Sequence, residues 1–220
     1  QLSTPGVVSD YFHLSLPCAV VRPESFAIVY VNGAKIPAAA IRAVHPSAMA
    51  VGVYSAVAKQ DFLKEMHAIN ANIVFVRHAL APGYGDPINF DINDCETQRN
   101  LNIQGIKQSR NLGNYFKKQT IIFSDIFTSQ WCRCIDTAKE MGLENWLAIP
   151  ELNSFYQNRF KKSDIMEKLN YRLNSVKEDE LLLMITHQVV ISEVTKISPP
   201  SGGIVIYNHK TKKALTIDLK

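Results

Sequence analysis

Beyond about residue 59 the chain alternates short apolar runs with stretches of helical periodicity. Residues 73–76, Ile-Val-Phe-Val, form an unbroken run with polar residues on both sides. Residues 181–185, Leu-Leu-Leu-Met-Ile, form a second and stronger one. Runs of this length bounded by polar residues predict strands buried on both faces, as in a parallel sheet. A third β-rich stretch covers 121–128. Residues 204–207 and 214–219 predict a hairpin around His209-Lys210-Thr211-Lys212, the antiparallel edge of a mixed sheet.

Between these strands the apolar spacing turns helical. Phe62, Leu63, Met66 and Ile69 share a face over 60–69. Asn102 is placed to cap a helix running to about Lys118, with Ile106, Ser109, Leu112, Gly113 and Phe116 inward. A helix opening at Trp131-Cys132-Arg133 carries Ile135, Ala138 and Met141 and stops at Gly142. Residues 163–176 turn Ile165, Met166, Leu169, Leu173 and Val176 inward, and 189–194 form a short helix. The order predicts an α/β fold, three-layer α/β/α with a mostly parallel central sheet and an antiparallel C-terminal edge.

Residues 1–58 follow another pattern. They carry only Asp10, Arg22, Glu24, Lys35 and Arg42 as charged residues, and are rich in Ala, Val, Pro and Ser. A strand over 26–31 followed by a turn at Asn32-Gly33 fits. The uncharged run 47–58, ending Ala56-Val57-Ala58, resembles the apolar part of a signal peptide, although Pro46 and the residues upstream fit poorly. The chain begins at Gln1, which suggests a fragment or a processed form. The expected organisation is an N-terminal extension, 1–58, without recognisable chemistry, and a functional domain over 59–220.

Composition narrows the function classes. A net charge of +4 with no basic run interleaved with aromatics gives a nucleic-acid role little support. No apolar run reaches the roughly 18–20 residues that span a bilayer. Cys132-x-Cys134 is not a zinc spacing, and no His/Cys pair matches it elsewhere, so no metal is expected.

Three of these stretches end in polar side chains: Arg77-His78 after 73–76, Arg133 shortly after 121–128, and Thr186-His187 after 181–185. In open α/β sheets ligands bind at the carboxyl ends of strands. A neutral imidazole is a competent nucleophile, and paired guanidinium groups hold a phosphate and neutralise its oxygens. A second histidine, if protonated, adds a donor. The chemistry that fits is phosphoryl transfer.

These residues resemble the histidine phosphatase (phosphoglycerate mutase-like) superfamily over about residues 60–220. Arg77-His78-Ala79 stands where the family has Arg-His-Gly. Ser129, Arg133, Thr137 and Ala138 match its Ser-x-x-x-Arg-x-x-x-Thr-Ala, and Thr186-His187 matches its late histidine. The stretch Asp94-Cys95-Glu96-Thr97-Gln98-Arg99-Asn100-Leu101, with Trp131-Cys132-Arg133-Cys134 and Thr186-His187-Gln188, is similar to a bacterial, often exported subgroup loosely like lipopolysaccharide core heptose phosphatases. The resemblance implies a covalent phosphohistidine on His78, with Arg77, Arg133 and His187 holding the phosphoryl group. It also implies Arg99, Ser129 and Gln188 as substrate-binding residues and no metal or organic cofactor. The partner would be a small phosphorylated substrate or a phosphohistidine protein, and a periplasmic or exported location is favoured over a cytoplasmic one. Arg99 fits either the pocket rim or a structural ion pair.

Two positions depart from the family. Many members place a general-acid glutamate where this chain has Ser154, leaving Glu151, Asp86, Asp94 and Glu96 as candidate replacements. Gln188 stands where many have glycine, which argues against a close phosphoglycerate mutase. A mutase-type phosphotransferase and a non-catalytic phospholigand-binding protein are the alternatives. Cys95, in the loop after the first strand, and Cys132, beside Arg133, are both placed to line the pocket mouth. A disulfide between them would fit an oxidising compartment, and free thiols are the other outcome. Cys134 reads as core packing.

Overall fold

Residues 62–218 and the strand pairs of a short hairpin are described by the computed structural model. The chain divides into two units, 1–59 and 60–220. In the first, β1 (Val29–Val31) pairs antiparallel with β2 (Ala34–Ile36). The turn expected at Asn32-Gly33 and the signal-like run at 47–58 lie outside the described residues.

In the second unit the elements run α1 (Phe62–Ile69), β3 (Ile73–Arg77), α2 (Ile103–Lys118), β4 (Asp125–Thr128), α3 (Cys132–Glu140) and β5 (Trp146–Ala148). They continue with α4 (Lys162–Asn174), β6 (Leu182–Thr186), α5 (Gln188–Thr195), β7 (Ile204–Tyr207) and β8 (Ala214–Ile217). The six-stranded sheet has the order β5-β4-β6-β3-β7-β8. β5, β4, β6 and β3 run parallel, and β7 and β8 are antiparallel to their neighbours, so the predicted mixed sheet with its C-terminal antiparallel edge is present.

Side chains of a strand alternate between faces, and here both faces are covered. Val74, Val76, Leu183 and Ile185 point into one core with Phe62 and Met66 of α1, Leu112 and Phe116 of α2, and Cys134 and Ala138 of α3. Ile73, Phe75, Leu182 and Met184 point into the other with Leu169 and Leu173 of α4 and Val190 and Ile191 of α5. The apolar runs are unbroken because neither face of these strands meets water.

Asn102 caps α2 as expected, its side chain accepting from Gly105 N at 2.9 Å. Three expectations need adjustment, and one strand was not foreseen. The β-rich stretch at 121–128 is a strand only from Asp125, because its partner β6 begins at Leu182, opposite Asp125, and Ile122 is left 84% exposed. β5 is an edge strand of three residues, none of them fully buried, so no apolar run announced it. Leu63 faces solvent, and Ile106 is only half-buried while Gly105 takes the inner position. A Cβ on Gly105 would lie 2.2 Å from the Leu80 carbonyl oxygen, so glycine lets α2 pass against the loop that follows β3. Among the described residues, no helix is long and apolar enough to cross a membrane.

Candidate active site

The parallel register brings the three strand ends level. Arg77 stands opposite Thr186, and Thr128 opposite Ile185. His78 N donates to Thr186 O (2.9 Å) and Ser129 N to Ile185 O (2.9 Å), so the ladder continues one residue past each strand. A cavity of about 170 Å³ opens there, lined by Arg77, His78, Arg99, Arg133, His187 and Gln188, with Asp86, Ser154, Tyr84 and Tyr156 among its other walls.

His78 is buried. Its Nδ1 lies 2.8 Å from the Ala79 carbonyl. A carbonyl only accepts, so Nδ1 carries the proton and Nε2 keeps its lone pair. The Arg133 Nε–H points at that lone pair from 3.3 Å. Burial, and then the charge of Arg133, pushes the His78 pKa well below its ordinary value, so the free imidazole is neutral at pH 7. Thr137, one turn beyond Arg133 on α3, accepts from Ala79 N (3.0 Å) and donates to Arg133 O (2.6 Å). The eight-residue spacing from Ser129 to Thr137 therefore ties the helix carrying Arg133 to the backbone beside His78.

His187 precedes α5, its ring centroid 5.4 Å from that of His78 and 5.0 Å from that of Trp131. Its Nε2 lies 3.0 Å from Ser129 Oγ and 3.5 Å from Cys134 Sγ. Burial and then Arg133 press its pKa well down, so it too is neutral. A protonated His187 therefore requires an anion beside it.

Arg77 donates through Nη1 to Pro199 O (2.9 Å), and Arg99 through Nη1 to Gly83 O (3.0 Å) and Ala81 O. The Nε of each is buried without a hydrogen-bond partner. Burial, and then the nearby Arg133, lowers both pKa values. Three guanidinium groups against one carboxylate, with two orphaned donors, leave the cavity able to take up a compact anion.

The site residues expected from sequence are not equivalent. Arg77, His78, Arg99, Arg133, His187 and Gln188 line one cavity. Ser129 is fully buried behind His187, its hydroxyl 3.1 Å from Asn153 Oδ1, so it holds the histidine and not the ligand. Of the candidate acids, Glu151 pairs with Arg172, Asp94 caps a short 3₁₀ turn and Glu96 is exposed. Only Asp86 reaches the cavity. Burial works to raise its pKa, but the bidentate bond to Arg133 and donations from Arg99 N and Trp131 Nε1 outweigh that and hold it below the ordinary carboxylate range. It is a fixed anion, not a proton donor. Ser154 Oγ accepts from Tyr156 N (3.1 Å). Among the described residues, no three His, Cys, Asp or Glu side chains group as a metal site.

Sequence reasoning missed Tyr84 and Tyr156, whose rings meet edge to face at 5.6 Å on the cavity wall. Both lie in irregular segments without periodicity. Those segments are stitched together: Asp86 N donates to Gln157 Oε1 (3.0 Å), and Arg159 Nη2 to Pro87 O (2.6 Å). Cys95 and Cys132 form a disulfide, and Cys134 is free and buried.

No protein-family model and no curated protein sequence matches the chain. Among solved structures it is similar to the protein histidine phosphatase SixA complexed with tungstate, at a TM-score of 0.46 and 19% identity over 66% of this chain and 92% of that one. It is also similar to TTHB049 of Thermus thermophilus, at 0.46 and 16% over 65% and 96%. A proposed alpha-ribazole-5'-P phosphatase of Escherichia coli matches at 0.45 and 18% over 66% and 93%.

Proposed function

We propose that this protein is a metal-independent phosphatase of the histidine phosphatase type, working through a phosphohistidine on His78. The observation that carries the reading is a neutral imidazole whose tautomer leaves Nε2 unprotonated, set among three arginines of which two keep an unpartnered donor. His78 Nε2 attacks phosphorus in line, the P–O or P–N bond to the leaving group breaks with its electron pair, and the N–P bond forms. Water then attacks phosphorus, and Nε2 leaves with the bonding pair. Arg77, Arg99 and Arg133 neutralise the equatorial oxygens, and the dianion draws a proton onto His187.

With Asp86 ionised and Ser154 in the acid's place, the cavity offers the leaving group no carboxylic proton. A general acid contributes about 10²–10⁴-fold, so substrates that need little such help are favoured: a phosphohistidine, whose imidazole can leave already protonated, or an aryl phosphate. The same lack supports a second reading, a phospholigand-binding protein without turnover. An exported location accords with the disulfide.

The test is turnover of p-nitrophenyl phosphate by the full chain with EDTA present, beside His78→Ala. The expected result is turnover that falls by about 10⁴-fold or more in the variant, with a phosphate adduct on acid-quenched wild type alone. Vanadate binding with neither turnover nor adduct would replace the phosphatase by the binding protein.

A further inference from the structure

We infer that Asp86 is the positioning residue of the site: it holds the end of the Arg133 guanidinium so that the Nε–Nη2 edge faces the phosphoryl group on His78. This rests on the phosphatase reading above.

Arg133 has two edges that could take an oxyanion, the end formed by both Nη groups and the side formed by Nε and Nη2. Asp86 occupies the end, with Nη1–Oδ1 at 2.7 Å and Nη2–Oδ2 at 3.1 Å. The side edge is turned to His78, with Nε 3.3 Å from Nε2. Both side chains are about 95% buried in the pair, their exposures being 4% and 5%. Asp86 cannot readily swing away to admit substrate, because its oxygens take two further donors, Arg99 N on Oδ1 (3.1 Å) and Trp131 Nε1 on Oδ2 (3.1 Å). Its backbone is fixed as well: Gln157 Oε1 accepts from Asp86 N, and Arg159 Nη2 donates to Asp86 O at 3.3 Å. Gly85, at φ +70°, has the Gln157 amide so close that a Cβ would meet it at 2.6 Å. The carboxylate therefore does not compete for the phosphoryl group. It fills the edge of the arginine that faces away from the nucleophile and leaves the other edge for the ligand, as a buried ion pair with every lone pair satisfied can.

Without the carboxylate the end of the guanidinium keeps only the donation from Nη1 to Arg99 O (3.3 Å), too little to hold its edge in line with His78. A misplacement of about 1 Å costs about 10²-fold in rate. The test uses the full-length protein and two readouts, kcat/KM for p-nitrophenyl phosphate and the Kd of inorganic vanadate by calorimetry. Asp86→Asn is expected to lose about 10²-fold in kcat/KM and to weaken vanadate comparably. In an Arg133→Ala background the same substitution is expected to change kcat/KM by no more than about two-fold, since the group being positioned is gone. Should Asp86→Asn not fold, Asp86→Glu keeps the charge, displaces it by one methylene, and is expected to show the same loss. A variant with wild-type kcat/KM and vanadate affinity per folded molecule, or a loss that persists undiminished in the Arg133→Ala background, overturns the positioning role. If the wild type binds vanadate without turning over ester, the phosphatase reading fails, and the vanadate affinities of the variants alone decide the role of Asp86. A wild type that does neither removes both.

Discussion

The same strands carry a polar cluster at each end, and the two clusters differ in one respect. At the amino ends Asn72, Asn208 and His209 border a cavity of about 410 Å³, larger than the one at the carboxyl ends. The Asn208 amide bridges two chain turns, donating to Ile69 O and Asn70 O and accepting from Lys210 N and Thr211 N. Asn72 Oδ1 accepts from His209 N, and its amide nitrogen meets His209 Nδ1. No buried side-chain polar atom of these three lacks a partner, and Glu178 is matched by Lys210. At the carboxyl ends, Arg77 and Arg99 each keep a buried Nε with nothing to bond. A satisfied cluster closes a fold, whereas an unsatisfied one with an excess of positive charge has donors left to bind an anion. Buried polarity and cavity size do not separate the two ends. Unspent donors do.

The largest test of that contrast lies in the disulfide. Cys95–Cys132, 37 residues apart, ties the loop carrying Asp86 to the start of α3, and among the described residues no bridge holds the amino end. Cys95→Ser with Cys132→Ser should lower stability by about 2–4 kcal/mol in chemical denaturation. It should raise amide exchange over 83–97 while leaving 208–213 as protected as before. Equal loosening at both ends would erase the distinction.

Next comes Asn72→Ala, which leaves His209 without its partner. It should cost about 1–3 kcal/mol in a thermal melt, with kcat per folded molecule within about two-fold of wild type. A large fall in kcat would make the amino end functional.

The smallest effect is in pH. The folded pKa values of His78 and His187 are depressed, so below pH 6.5 the unfolded chain binds protons that the folded one refuses. Stability should therefore decline as pH falls below about 6.5, the ordinary value of the unfolded imidazoles. Vanadate, by stabilising a protonated His187, should flatten the slope. Melting temperatures across pH 7 to 5, with and without vanadate, measure it, and a flat profile without vanadate would mean the imidazoles are charged in the free protein.

The backbone architecture was legible because periodicity reports burial directly. The runs at 73–76 and 181–185 are apolar at every position because helices cover both faces, and Asn102 announced its helix through its own side chain. The histidines and arginines were legible as strand-end punctuation. What stayed hidden depends on distance in space between irregular segments. Asp86 lies 47 residues before Arg133 in a turn of glycines and prolines, with nothing nearby to distinguish a proton donor from a fixed anion. Ser129 reads the same whether its hydroxyl faces ligand or leans on His187, and only the fold decides. Three-residue β5 is too short to carry any period.

Cys132 and Cys134 stand two residues apart on α3, about 200° apart around the helix. One meets Cys95, and the other is buried in the core with its thiol pushed up to about 12 by burial. An unfolded, oxidising chain offers Cys95 both sulfurs at nearly equal loop length, so entropy hardly discriminates between them. Discrimination begins when α3 forms and docks, which withdraws Cys134 and leaves it too weakly acidic to exchange. A chain bridged through Cys134 would have to be reshuffled before α3 could seat, because that thiol belongs to the core.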